Sequence, residues 1–401
     1  MSMAPAAILT LNAGSSNIKF AVFLSGTTLN AILRGAIQGL ETATPHVIAK
    51  DAAGVVQIDR QWAPETATTF GSILGDLLTI IDDRLGAATL MAVGHRVVHG
   101  GADHVAPERV TPDLMAAFEG LIALDPLHMP RNIEAMRAVS LARPTLPQVA
   151  CFDTAFHRTQ PLVASSFAIP RTLTAKGVRR FGFHGLSYEY IAACLEQQAP
   201  TLARGRVIVA HLGSGASLCA LAGGSSIATT TGFSTLDGLM MATRCGNLDP
   251  GVIFYLLRQG HSADEIEDML FNRSGLLGVS GVSGDMKLLL SSGTPVAREA
   301  IDLFVYRIVT EAGALVGALG GLDGLVFTAG TGEHSPAIRA AVCNRLNWLG
   351  LQLDASANAA GVSQIAASGS KIDVRVIATD EEAMIARHTL ETIGKTTDRQ
   401  E

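Results

Sequence analysis

The 401-residue chain carries 30 basic and 36 acidic residues, a net charge of −6 and 48% hydrophobic residues, with a mean hydropathy of +0.31. That balance excludes a disordered chain, and 401 residues exceed one ordinary core, so two domains of roughly 150–200 residues are expected. The acidic and basic residues are mixed, without the basic block or aromatic motif of a nucleic-acid binder.

In chain order, Ile8 to Phe23 (ILTLNAGSSNIKFAVF) predicts a strand, a Gly/Ser/Asn turn at Gly14-Ser15, and a second strand. The alternation Ile18, Phe20, Val22 sets Lys19 on the opposite strand face. Ala63 to Leu85 has helical periodicity, and Leu90 to Val98 reads as a strand. Thr111-Pro112 opens a helix through Leu121, with threonine as N-cap and proline at the first helical position. Arg131 to Leu141 reads as a helix, and Gln148 to Phe152 as a buried strand ending at Asp153. The stretch Thr154 to Arg180, with weak periodicity, suits a crossing between domains.

Val207 to Leu221 (VIVAHLGSGASLCAL) then repeats the opening hairpin, with its turn at Gly213-Ser214. Small residues in such turns let N–H groups and hydroxyls close around an oxyanion, so the repeat suggests a duplicated α/β fold holding a nucleotide between its halves. Ile227 to Gly232, Leu248 to Pro250 and the Gly/Ser-rich Ser274 to Gly284 read as loops, with a helix from Gly251. A long helix covers Pro295 to Leu319. Leu325 to Thr328 is a buried strand, followed by a glycine turn (AGTGEHSP) and a helix from Pro336. Val374 to Ile377 is the last strand, and the terminal helix, Glu381 to Ile393, packs back on the first half.

Val305 to Leu322 is the most hydrophobic region, but Arg307 and Glu311 interrupt it, so a buried helix is expected and no membrane partner. The five cysteines, Cys151, Cys194, Cys219, Cys245 and Cys343, are odd in number and lack a CxxC pair. That fits free thiols, and with no signal peptide read ahead of the first strand, the cytoplasm is the expected location.

Several motifs carry chemistry. His95 and His99 have HxxxH spacing but lie beside valines and glycines, not on the helix a zinc site of that pattern needs. Arg96, at a strand end, suits bidentate grip of a carboxylate or phosphate, or a structural ion pair. Asp153 sits where ligands gather in α/β sheets, and His184 immediately before a helix. Arg244 stands in a Gly-flanked loop suited to clamping phosphate. Glu381-Glu382 suits Mg²⁺ or a helix start favoured by the macrodipole. Together they suit phosphoryl transfer, which needs charge neutralisation and positioning.

The segments NAGSSNIKF, GHRVVHGG, FDTAFH, RRFGFHGLS, VAHLGSGAS, LDGLMMATRCGNLDPG, SGLLGVSGVSGD and TDEEAMIAR follow, in order, the motifs of the acetate kinases, and the chain resembles that family over essentially its whole length. The resemblance implies a duplicated ribonuclease H-like fold of the actin/Hsp70/sugar-kinase type, with domains 1–153 plus 380–401 and 154–379. It implies a homodimer and reversible Mg²⁺-dependent transfer (Mn²⁺ substituting) between ATP and acetate, giving acetyl phosphate and ADP. Propionate kinase is the near alternative, and a non-metabolic nucleotide-binding protein of the same fold the remote one. Carried over by position, Arg96, Val98, Leu127, Phe183 and Thr235 form the acyl site. Arg96, Asp153, His184 and Arg244 are the catalytic set, and Asn12 and Glu381 the metal positions. Lys19, His211, Leu212, Gly213, Ser214, Gly215, Asp285, Met286, Lys287, Gly330, Thr331, Gly332, Glu333 and His334 match the nucleotide contacts. Asn17, Ser214, Lys287 and the AGTGEH segment depart from the family pattern on the nucleotide side, and Thr235 departs on the acyl side, where proline is usual.

Overall fold

The structure, a computed structural model, describes residues 5–14, 17–26, 29–40, 42–63 and 69–397. Ser15 and Ser16 of the first turn, and residues 64–68 of the helix expected from Ala63, lie outside the described residues. The chain divides into two compact units, Met1–Ala155 with Asp380–Glu401, and Phe156–Thr379.

The first unit is built on an eight-stranded sheet. Its strands are β1 (Ala6–Ala13), β2 (Asn17–Leu24), β3 (Asn30–Gln38), β4 (His46–Lys50), β5 (Val56–Gln61), β6 (Thr89–Val97), β7 (Glu108–Arg109) and β8 (Gln148–Phe152), in the order β5-β4-β3-β2-β1-β6-β8-β7. β1, β2 and β3 form an antiparallel meander, and β6 and β8 follow in parallel. β1 is apolar and buried on both faces, whereas β2 alternates at its start, with Ile18 and Phe20 inside and Lys19 exposed. Sequence reading did not resolve β3 to β5, whose half-exposed burial leaves no clean alternation.

Helix Phe70–Arg84 lays Ile73, Leu74, Leu77, Leu78 and Ile81 on one face of this sheet. Each such buried side chain contributes about 1.5–3 kcal/mol. Thr69 caps that helix, and Thr111 caps helix Pro112–Leu121 through the Leu114 N–H at 3.2 Å. The terminal helix, Glu381–Thr397, covers the other face, where Ala386 joins Ile8, Ala21 and Phe23. It lies so close to β6 that a Cβ on Gly94 would meet Thr389 and come within 2.6 Å of Ile385 Cγ2.

The second unit repeats the plan. β9 (Arg206–Leu212), β10 (Ala216–Ala222) and β11 (Ser225–Thr229) are an antiparallel meander, and β12 (Gly324–Thr328) and β13 (Asp373–Val376) extend it in parallel. The order β11-β10-β9-β12-β13 therefore reproduces β3-β2-β1-β6-β8. Helix Pro295–Leu319 packs Phe304, Val305 and Ile308 on one face. Tyr188, Ile191 and Leu195 of helix Gly185–Gln198 cover the other. Gly313 and Gly317 of the long helix face open space, with nothing within 4 Å of an added Cβ.

Three loop readings need correction. Ile227 to Gly232 begins inside β11. The Ser274 to Gly284 loop holds helix Gly275–Ser280, in which the glycines are functional ends: Gly275 and Gly281 both take positive φ, and Leu276 is buried. The AGTGEHSP turn is helix Ala329–His334. Its two glycines and its threonine are poor helix formers, and the buried Arg339 holds its end by donating from Nη1 to the Gly332 and Glu333 carbonyls at 2.9 and 2.7 Å. All five cysteines stand outside disulfides, with Cys151, Cys219 and Cys343 buried.

Candidate active site

In the first unit, the ends of β1, β6 and β8 and the start of the terminal helix bring Asn12, Arg96, Asp153 and Glu381 together. Parallel pairing sets Arg96 beside Cys151, so its side chain meets Asp153 one step past β8. Arg96 Nε lies 3.1 Å from both Asp153 oxygens and Nη2 2.5 Å from Oδ2, while Nη1 donates to Asn12 Oδ1 at 3.0 Å. Asn12 Nδ2 donates to Glu381 Oε2 at 3.2 Å, and that oxygen is 3.8 Å from Arg96 Nε. Of the five guanidinium hydrogens, these contacts use three. The other two have no protein partner among the described residues.

One arginine thus serves two carboxylates. Burial alone lowers the guanidinium pKa, but the Asp153 and Glu381 carboxylates outweigh it and hold the charge firmly. Burial pushes the Glu381 carboxyl up, and Asp153 and Glu382 push the same way against Arg96 and Lys19. The oxygens that keep an open lone pair here, on Glu381 and Asn12, are hard carboxylate and amide donors. Such a site suits a hard cation that keeps most of its water and leans on one or two protein oxygens plus substrate phosphate.

Behind this cluster stands Asn132, a residue that sequence reading missed. Its Oδ1 accepts the Val98 N–H at 3.0 Å and its Nδ2 donates to the Ala13 carbonyl at 3.2 Å, tying the ends of β6 and β1. The signal was present: Asn132 interrupts the apolar helical stripe Met129, Ile133, Met136, Val139. Val98 is buried and Leu127 half-buried, whereas Lys19 is exposed on β2. His95 and His99 are buried: His95 Nε2 meets Gln148 Oε1 at 2.8 Å, and His99 Nδ1 accepts the Gly101 N–H at 2.8 Å.

In the second unit, His184 caps helix Gly185–Gln198 in the left-handed region, at φ 59°. That conformation is costly for a residue with a Cβ and marks a constrained position. Its ring stacks on His211 at 4.2 Å between centroids and 13° between planes. Two imidazolium ions so placed would repel by about 4 kcal/mol at an effective dielectric of 20, which disfavours a second charge on the pair. His184 Nδ1 meets Ser217 Oγ at 2.7 Å, and Tyr188 OH meets the same oxygen at 2.5 Å. His211 Nδ1 meets Ser187 Oγ at 2.8 Å, and Ser187 meets Thr379 Oγ1 at 2.8 Å. None of these hydroxyls was singled out from sequence, because only the fold makes them neighbours.

The predicted nucleotide turn lies between β9 and β10. Leu212 is buried, Gly213 N–H donates to the Gly215 carbonyl at 3.0 Å, and an added Cβ on Gly215 would lie 3.1 Å from His184 Nε2. The Ser214 carbonyl accepts the Ala242 N–H at 3.0 Å, which joins this turn to the loop of Arg244. Arg244 donates from Nη1 to the Thr235 carbonyl at 3.1 Å and lies over the Phe271 ring. Thr235 Oγ1 is buried and has no hydrogen-bond partner among the described residues. Phe183 is buried, its N–H held by Thr231 Oγ1 at 3.0 Å. Asp285 caps helix Met286–Ser292 through the Lys287 N–H, with Met286 buried and Lys287 exposed. Gly330, Thr331, Gly332, Glu333 and His334 share helix Ala329–His334. There Glu333 Oε1 accepts the Thr379 N–H at 3.1 Å, and His334 is exposed.

A sheet plan used twice, with an arginine–carboxylate cluster on one copy and stacked histidines beside a glycine turn on the other, defines a kinase of the duplicated ribonuclease H-like type. The Acetokinase family model matches residues 7–387, and the chain belongs to that family. It is accordingly a phosphotransferase with a carboxyl group as acceptor. The acetate kinase of Rhodopseudomonas palustris is 52% identical, covering 95% of this chain and 97% of its own. The solved propionate kinase of Francisella tularensis superposes with a TM-score of 0.89 at 36% identity, covering 96% of this chain and 99% of its own. The acetate kinase of Porphyromonas gingivalis does so with a TM-score of 0.85 at 33% identity, covering 97% and 100%.

Proposed function

We propose that this enzyme transfers the γ-phosphoryl group of ATP reversibly and in line to acetate, giving acetyl phosphate and ADP. The observation that supports it best is Arg96: a half-buried, permanently charged guanidinium, immobilised on one side by Asp153 and Asn12, with two N–H groups left for a small carboxylate. Acetate, with a pKa near ~4 like Asp or Glu, is already ionised at neutral pH, so no proton-abstracting base is required. Asp153 then positions Arg96. Arg244 and His184 stabilise the charge on the equatorial oxygens in the transition state. Val98, Leu127, Phe183 and Thr235 are the residues assigned to the methyl group. Lys19, His211 to Gly215, Asp285 to Lys287 and Gly330 to His334 hold the nucleotide.

Asn12 and Glu381 would hold Mg²⁺, or Mn²⁺ in its place. Bound there, the ion would supply positive charge to neutralise the phosphoryl group in transfer.

A second copy of the chain is the proposed partner. None of the residues of helix Pro250–Arg258 is buried, and its Val252, Phe254, Tyr255 and Leu257 are exposed apolar surface. The cytoplasm is the proposed location, on the thiol chemistry given above.

Trapping the product as a hydroxamate from ATP, Mg²⁺, hydroxylamine and a series of carboxylates tests the reading. Hydroxamate from acetate is expected; its absence with every carboxylate would sink the proposal. Propionate is the second reading, favoured by the propionate kinase neighbour at TM-score 0.89. One methylene is worth only about 1–3 kcal/mol in such a pocket, so kcat/KM compared over acetate, propionate and butyrate decides it.

A further inference from the structure

We infer that Ser217 and Tyr188 are positioning residues that fix His184 as a neutral imidazole with its proton on Nε2. Ser217 Oγ owns one hydrogen and lies between two partners, His184 Nδ1 at 2.7 Å and Tyr188 OH at 2.5 Å. Ser217 is fully buried and its Oγ meets no other group among the described residues, so its hydrogen goes to one of the two and it accepts from the other. The phenol, with a pKa of about 10, is a far stronger acid than an aliphatic hydroxyl and donates into the shorter contact. The serine hydrogen therefore goes to Nδ1. A ring nitrogen that accepts a hydrogen bond carries no proton, which leaves the ring's single proton on Nε2.

Two further observations point the same way. The stacked His211 disfavours a second charge at 4.2 Å, and it is built alike, with Ser187 Oγ on its Nδ1 and Thr379 Oγ1 behind. The Nε2 edge of His184 also borders Gly215, where any Cβ would stand 3.1 Å away. The protonated edge is thereby presented to the glycine turn, and the strained φ of 59° holds it there. In the proposed reaction, on which the functional half of this inference rests, His184 donates a neutral N–H hydrogen bond to the phosphoryl oxygens. Arg244 is then the cation of the second unit's catalytic pair.

Nitrogen NMR of the ¹⁵N-labelled full-length protein reads the tautomer without substrate. The expected wild-type spectrum has an unprotonated Nδ1 and a protonated Nε2 for His184. Tyr188→Phe and Ser217→Ala are expected to move that signature toward the other tautomer and lower kcat about tenfold or more, leaving KM for ATP within about twofold. Ser217→Thr, which keeps the hydroxyl, restores both. A wild-type proton on Nδ1 overturns the inference, as does a loss of turnover in Tyr188→Phe with the His184 signature unchanged. If the tautomer is as stated but no carboxylate is phosphorylated, the proposed reaction fails and the functional half with it, while the tautomer assignment stands.

Discussion

Arg96 and Asp153 meet from the ends of two neighbouring parallel strands. The arginine touches both carboxylate oxygens with Nε and one of them again with Nη2. Asp153 is fully buried and also donates its backbone N–H to the Val97 carbonyl at 3.0 Å. A carboxylate so committed is a brace for the guanidinium. Asp153→Asn keeps the shape but loses the charge, so Arg96 is held less firmly. The variant should lose about 10²-fold in kcat, since small misplacements of a catalytic group cost that much. Asp153→Ala should in addition lose about 1.5–3 kcal/mol in urea unfolding, because the half-buried guanidinium keeps only Glu381 and Asn12 as partners. Full turnover in Asp153→Asn would contradict the bracing role.

His95 predicts a pH dependence of stability. Burial pulls its imidazole down to about 4, although the bond to Gln148 opposes this. The unfolded chain protonates near pH 6.5, so between 6.5 and 4 the unfolded state binds the extra proton. The stabilising contribution is therefore present above pH 6.5 and lost as pH falls through that window. From pH 7 to 5 this amounts to about 2 kcal/mol for the one residue. Urea unfolding of wild type and His95→Gln at both pH values should show the variant losing less stability by that amount. Equal losses would place the proton elsewhere.

Strand ends and alternation made part of this site legible. Ile18, Lys19 and Phe20 declare their faces by period two, and Arg96 and Asp153 each follow an apolar run that only a buried strand explains. The hydroxyls behind the histidines carry no such local sign. Ser217 lies on the strand after His211, Tyr188 a helical turn beyond His184, and Thr379 far along the chain. Helix Ala329–His334 was equally hidden, because its end is held by Arg339 from the next helix and not by its own residues.

Thr235 is a residue of the proposed acyl site. Its hydroxyl is buried without a hydrogen-bond partner among the described residues, a state that costs about 1–3 kcal/mol. Thr235→Val, which replaces hydroxyl by methyl at nearly the same volume, should raise the urea midpoint, corresponding to about 1 kcal/mol. It should also raise the propionate-to-acetate ratio of kcat/KM by up to about tenfold, as an added apolar wall favours the extra methylene. A lower midpoint with an unchanged ratio would show that the hydroxyl has a partner and no part in selection.

Helix Pro250–Arg258 tests the proposed dimer. Val252 and Tyr255 lie three residues apart, as do Phe254 and Leu257, so the helix carries two exposed apolar pairs, on different sides. Exposed as they are, at 38, 58, 56 and 43%, they each offer roughly half of the ~1.5–3 kcal/mol that full burial of an exposed side chain contributes. None of them belongs to the proposed catalytic or nucleotide set. The double variant Phe254→Glu/Leu257→Glu should therefore dissociate the pair while each chain still unfolds cooperatively. Light scattering behind size exclusion should give twice the 41.8 kDa chain mass for wild type and once that mass for the variant. A variant that stays at twice the mass would move the contact to another face, and a wild type that runs at the single-chain mass would end the dimer proposal.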